Sequence, residues 1–294
     1  MTIENWRAAG AFFNYKGHRI FSREEEGAGP ILLLLHGFPT ASWDWQKIWL
    51  PLAEKFHLLA PDMIGFGFSD KPKNYRYSIL DQADLHEHLL EERSILSVHI
   101  LAHDYGNTVA QELLARFLDR KRNHVEGLDI QSVCFLNGGL FYETLRPRFI
   151  QKVLLSPIGK WMSPFMGKES LRRNFHAIFG KNTPPTEAEI DAFWQLIEHN
   201  NGKAIFHKLI HFLTERRLFR DRWVDALQQA EIPIRLINGP EDPISGRHLA
   251  TRYRQLIPNA DVILLEGIGH YPQVESPKQV LEHFLCFYEN NFEK

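Results

Sequence analysis

Short unbroken apolar runs punctuate the first half of the chain: ILLLLHG, HLLAPD, SVHILAHD and QSVCFLN. Such runs, without polar alternation, predict strands buried on both faces, as in a mostly parallel sheet. AFFNY and HRIFS ahead of them read as two further strands, and helical spacing appears near Trp43 to Phe56, Leu80 to Glu91 and Gly106 to Arg120. From Gly139 to about Ala230 the pattern changes: strand-like runs stop, Pro and Gly breaks multiply, and helical stretches carry Phe, Trp and His. Alternation then resumes with PIRLINGP, a helix near Arg247 to Leu256, ADVILLEG, and a last helix from Pro277 to about Asn291. The expectation is an α/β fold: a mostly parallel eight-stranded sheet with flanking helices, its core formed by residues 1–138 and 231–294, and a helical cap inserted at 139–230.

Composition supports one large domain. The 294 residues, 44% hydrophobic and 24% charged, can bury a sizeable core without a bias to disorder. The net charge of −2 provides no overall basic footprint, so a small, largely apolar and uncharged substrate is expected, and neither nucleic acid nor a membrane. Two cysteines, Cys134 and Cys286, are too few and too differently placed for a disulfide framework, and MTIENWRAAG lacks the basic and apolar regions of a signal peptide. These features predict a cytoplasmic protein, a monomer or homodimer.

The chemistry concentrates in short segments at the ends of predicted strands. Ala102-His103-Asp104-Tyr105-Gly106 follows a buried strand and opens a helix, with small residues flanking the central acid at two removes. This is the pattern of a nucleophile elbow, a sharp strained turn that tolerates no bulky neighbours. Asp104 could equally serve as a helix N-cap. Chain order separates the two readings: Glu241-Asp242-Pro243 and Gly269-His270-Tyr271 follow later strands, giving nucleophile, acid and histidine in the order this architecture uses. Asp104 is therefore the expected nucleophile, His270 the general base and Asp242 the group that orients it.

Together HGFP, DMIGFGFSDKP, HDYG, GPEDP and GIGHYPQVESP resemble the epoxide hydrolase and haloalkane dehalogenase branch of the α/β-hydrolase superfamily, across nearly the whole chain outside the cap. HDYG running into VAQELL, LNGG, and HYPQ followed by E and P are similar to the mesoderm-specific transcript group of that branch. The resemblance implies the α/β-hydrolase fold and an oxyanion hole made by the backbone N–H groups of Phe38 and Tyr105. Related dehalogenases sometimes carry the third acid where Asn137 stands, which leaves Asp242 as the acid here.

A carboxylate nucleophile suits attack on a saturated carbon, which yields an ordinary ester, and no cofactor or metal is required. His207 and His211 are four apart but lack a third ligand. In the family an epoxide alkoxide is served by two cap tyrosines and a halide by a Trp after the nucleophile. Here that residue is Tyr105, and Tyr142 is the one tyrosine between Gly139 and Ala230. HGFP and Tyr142 favour epoxides slightly over haloalkanes. Candidates for the substrate pocket are His36, Trp43, Tyr142, Trp161, Trp194 and His207. A serine esterase is disfavoured because no Ser occupies the elbow, whereas a catalytically weak ligand-binding homologue would keep the fold without turnover.

Overall fold

The computed structural model describes residues 1–293. Eight strands form one sheet in the order β1-β2-β4-β3-β5-β6-β7-β8: β1 Gly10–Tyr15, β2 His18–Glu25, β3 Ile31–Leu35, β4 His57–Pro61, β5 Ser97–Ala102, β6 Asp129–Phe135, β7 Ile234–Asn238 and β8 Asp261–Leu264. The first hairpin joins antiparallel to β4, and from β4 through β8 every neighbour is parallel. Leu32 to Leu35 and Ile100 to Ala102 are wholly buried, as continuous apolar central strands require when helices cover both faces.

Helices α1 Ile3–Ala8, α2 Trp49–Ala53, α3 Ile79–Glu92 and α4 Tyr105–Asn123 precede the insertion, and α12 Arg247–Leu256, α13 Pro272–Glu275 and α14 Pro277–Phe292 follow it. The helix expected across Trp43 to Phe56 is instead a 3-10 turn at Ser42–Trp45 followed by the five-residue α2. A helix already running at residue 47 would need a Pro51 N–H for that carbonyl, so the helix starts afresh at Trp49 and keeps Pro51 in its first turn, where no such donor is needed.

Between β6 and β7 the regular elements are all helical: α5 Phe149–Leu155, α6 Gly159–Met162, α7 Lys168–His176, α8 Glu187–Glu198, α9 Phe206–Leu209, α10 Phe212–Leu218 and α11 Arg220–Gln229, with short 3-10 turns between them. Thr186 and Glu189 close a reciprocal capping box at the start of α8. Helix α11 returns to pack on α4, where Trp223 Nε1 donates to Glu112 at 2.8 Å and Arg222 Nε donates to the same carboxylate at 2.9 Å. That contact anchors the end of the insertion on the core before β7 resumes the sheet.

Candidate active site

Strand β5 ends at Ala102 and α4 begins at Tyr105, which leaves two residues to reverse the chain. Asp104 takes φ 47°, ψ −102°, a conformation costing roughly 1–3 kcal/mol for a residue with a Cβ. Its carboxylate makes no capping hydrogen bond to α4, so the strain does not serve a helix cap. Close packing explains the small neighbours: a Cβ at Gly106 would lie 2.3 Å from the Leu35 carbonyl oxygen, and one at Gly37 would lie 2.7 Å from His103 Nδ1 and 3.0 Å from Asp104 Cβ. Gly138 sits at φ +157°, and its missing Cβ would strike Asp104 Cα at 2.5 Å.

The loop after β3 crosses the elbow with a cis Phe38–Pro39 bond, and the Phe38 N–H donates to Asp104 Oδ2 at 3.1 Å. The Tyr105 N–H is the first of α4, among the donors a helix leaves without an internal partner. Both expected oxyanion donors thus border the carboxylate's site. The Tyr105 side chain points elsewhere: it is buried against Phe66 and Phe212, with ring centroids 5.2 and 4.9 Å away, and does not line the cavity.

His270 lies on the loop after β8, and Asp242 on the loop after β7. His270 Nδ1 is 2.7 Å from Asp242 Oδ2, and its Nε2 is 3.9 Å from Asp104 Oδ1. Asp242 also accepts from the Ile244 N–H (2.8 Å), the Ser245 N–H (3.0 Å) and hydroxyl (2.6 Å), and Asn137 Nδ2 (3.0 Å). Burial works to raise the Asp242 pKa, but the His270 charge and these donors outweigh it and hold the acid down at about 2. Burial likewise opposes a charge on His270, yet Asp242 foremost, with Asp104, lifts it to about 9. Both neighbouring acids thus favour the charged form of His270.

The histidine loop is held from both sides. His103, kept neutral by burial with a pKa of about 3, donates through Nε2 to the His270 carbonyl at 2.8 Å. The His270 N–H donates to the Ile178 carbonyl of the insertion at 2.8 Å. Glu275 accepts from the Gly269 and Tyr271 N–H groups (2.9 Å each), and from the Gly180 N–H and Thr183 hydroxyl (2.7 Å each).

Arg216, on α10, escaped the sequence reading. It is 4% exposed, donates through Nη2 to the Asp104 carbonyl at 3.0 Å and through Nε to Thr108 Oγ1 at 2.8 Å, and stands 3.9 Å from Asp104 Oδ1. Burial depresses its pKa to about 10, leaving a cation at neutral pH. Arg216→Met should cost about 3 kcal/mol in urea unfolding, the low end for unpairing a buried charge because the Phe38 N–H and His270 still compensate Asp104. Arg216→Lys should recover part of that loss. Wild-type stability in both variants would show that the contact contributes nothing.

A cavity of about 80 Å³ opens onto Asp104, His270, Phe38 and Pro39, with Ile244 from the core. Its other wall is the insertion: Arg148, Ile150, Gln151, Leu154, Met166, Phe206, and the α7 and adjoining positions Leu171, Asn174, Phe175 and Ile178. None of the six expected pocket side chains reaches it. His36 is wholly buried and neutral, its Nδ1 bonded to the Gly37 carbonyl and its Nε2 accepting from the Met63 N–H, so it braces the oxyanion loop. Trp43 packs edge-on against Phe193, and Trp194 lies beside Lys203, 5.3 Å from ring centroid to Nζ. Tyr142 and Trp161 are 40% and 67% exposed. His207 adjoins the lining residue Phe206, and successive helical positions point about 100° apart. His207 lies on the four-residue α9 and His211 in the turn before α10, so the two do not share one helical face. Among the described residues no cluster of His, Cys, Asp and Glu could hold a metal ion.

The model of the alpha/beta hydrolase fold family matches residues 30–277. The mesoderm-specific transcript protein of Mus musculus is 42% identical, across 97% of this chain and 87% of its own length. A haloalkane dehalogenase from Bradyrhizobium elkani superposes with a TM-score of 0.78 at 22% identity, covering 96% of this chain and 99% of its own. The epoxide hydrolase CorEH does so with a TM-score of 0.77 at 19% identity, covering 96% and 98%. The two structural likenesses show the fold alone. The matched span runs from the start of β3 past the His270 loop, and the chain belongs to the α/β-hydrolase fold family.

Proposed function

We propose that this chain is a hydrolase that displaces a leaving group from saturated carbon with Asp104, through an alkyl ester on that side chain. The observation carrying the reading is a strained, solvent-shielded carboxylate, held by the Phe38 N–H on one oxygen and 3.9 Å from His270 Nε2 on the other. Attack on an ester carbonyl would make a mixed anhydride, whereas attack on an sp³ carbon makes a stable ester. Asp104 Oδ1 forms the new C–O bond while the leaving group departs with its electron pair. Water then attacks Asp104 Cγ and gives its proton to His270 Nε2, while the Phe38 and Tyr105 N–H groups stabilise the tetrahedral oxyanion. Collapse expels the alkoxide, which takes that proton from His270 and leaves as the alcohol; the second water proton, left on the Asp104 carboxyl, passes to His270 and out to solvent, which restores the carboxylate and balances the departed anion. Asp242 orients the imidazole and stabilises its cation.

The leaving group follows from the donors near the cavity. Tyr142 lies off it, which takes away one of the grounds for preferring epoxides and leaves the HGFP pattern as the other. Besides Asp104 and His270, the polar side chains there are Arg148, Gln151 and Asn174; Gln151 Oε1 is occupied by the Arg148 N–H, which leaves its amide N–H groups available. Amides and guanidinium hydrogen-bond an anion without protonating it, so this chemistry favours halide over alkoxide. Ligand pockets commonly enclose about 300–1,000 Å³, so the smaller cavity here fits a short-chain electrophile. In side-by-side assays of the wild-type protein, halide release from a short bromoalkane should exceed diol formation from styrene oxide. Faster diol formation would restore the epoxide as the better substrate.

A further inference from the structure

We infer that the stretch from Tyr142 to Phe165 docks this protein on an anionic lipid surface, beside the cavity mouth. Twelve large hydrophobic side chains are exposed among the described residues, and six of them, Tyr142, Phe149, Ile158, Trp161, Met162 and Phe165, fall in these 24 positions. Phe149, Trp161 and Phe165 are 81%, 67% and 84% exposed. Scattered apolar residues are ordinary on a surface, but such a concentration marks an interaction site. The same stretch carries four cations, Arg146, Arg148, Lys152 and Lys160, against the single acid Glu143. Glu143 is already paired with Arg220 and Arg252, and among the described residues none of the four cations has a carboxylate partner. Lys160 Nζ lies 4.9 Å from the Trp161 ring centroid.

Aromatic and aliphatic side chains interleaved with unpaired cations are what an interfacial segment needs, the apolar groups entering the acyl boundary and the cations meeting anionic headgroups. The net charge of −2 over the whole chain conceals this local excess. A second copy of the chain is a poor occupant, because a two-fold contact would bring the basic stretch against itself. Among the described residues no helix is long and apolar enough to cross a membrane, and the contact inferred is a peripheral one. The neighbouring residues Ile150, Gln151, Leu154 and Met166 line the cavity, so docking here would present the mouth to apolar molecules dissolved in the bilayer. The inference does not depend on which leaving group Asp104 displaces.

The test is flotation of the full chain with phosphatidylcholine vesicles, with and without phosphatidylserine. Binding is expected to the phosphatidylserine vesicles and to weaken with salt. At about 1 kcal/mol per basic residue near an anionic surface, the double variant Lys152→Gln, Lys160→Gln should bind about thirtyfold more weakly. Trp161→Ser combined with Phe165→Ser should lose at least about tenfold, since each removes a large apolar group from the acyl boundary. Both variants should keep wild-type thermal unfolding and turnover of a water-soluble substrate. No binding to phosphatidylserine vesicles, or equal binding by wild type and variants, would overturn the inference. So would a solution dimer that Trp161→Ser with Phe165→Ser dissociates, since it would assign the face to a second copy.

Discussion

His270→Gln protein incubated with a reactive bromoalkane should gain the mass of one alkyl group on Asp104 and then stall. Displacement requires the Asp104 carboxylate and the Phe38 N–H, both left in place by the substitution. Hydrolysis of the ester requires a base for the attacking water, a contribution of about 10²–10⁴-fold. The intermediate should therefore form and persist. In the resting wild type His270 titrates at about 9, in part because Asp104 is charged; esterification removes that charge, so the histidine becomes a free base more readily once the intermediate exists. The ester-hydrolysis step should accordingly speed up as pH rises toward 9 in wild type and stay flat in His270→Gln. Peptide mapping decides the matter: an unmodified Asp104, or an alkyl group carried elsewhere, would refute a covalent role for this carboxylate.

Asp242→Asn should lower turnover about 10³–10⁴-fold, by analogy with the loss seen when a triad acid is made neutral and the histidine tautomer changes. The upper figure corresponds to about 5 kcal/mol of barrier, whereas folding stability at neutral pH should fall by about 2 kcal/mol, because the one amide oxygen can keep the two Ser245 donors at the Oδ2 position while the Ile244 donor at Oδ1 is lost. Stability also carries a pH signature. His270, raised above its ordinary 6.5 to about 9, contributes stability that is complete below about 6.5 and is lost as pH rises through 9. Asp242, held near 2, contributes above about 3.8 and loses its contribution as pH falls toward 2. Urea unfolding between pH 6 and 10 should thus show an alkaline decline in wild type that Asp242→Asn flattens. An equal decline in both proteins would mean that the pair is not what holds the histidine charged.

The mostly parallel sheet, the elbow and the Asp104, Asp242 and His270 placement were legible because each depends on local pattern: a buried run, a small residue at a fixed offset, an acid or histidine at a strand end. Gly106 and Ala102 could be read from sterics alone. The cavity wall could not. Prolines at 157 and 164 break the insertion into short helices, which erases the long period that would say which side each residue faces. Choosing aromatic and histidine side chains by type selected Trp43, Trp161 and Trp194, whereas the wall is built from Leu171, Asn174 and Phe175, at the offsets of one helical face of α7. Nothing local in Glu215-Arg216-Arg217 singles out the middle residue, and only the fold reveals that Arg216 reaches Asp104, 112 positions away. Asn137 entered the sequence argument as a missing acid, yet it supplies a donor to the acid that is present.

The four hydrogen bonds gathered by Glu275 have a mechanical consequence. They rivet residues 180 and 183 of the insertion to the loop that carries His270, and the His270 N–H adds a rivet of its own to residue 178. The insertion therefore cannot swing away as one rigid lid without dragging the base out of register. Breathing is expected at the far lip, α5 and α6, whose hydrogen bonds among the described residues stay within their own helices and adjoining turns. Admission of substrate and alignment of the base are thus assigned to opposite ends of the same insertion, so the mouth can widen and narrow while the imidazole holds its aim.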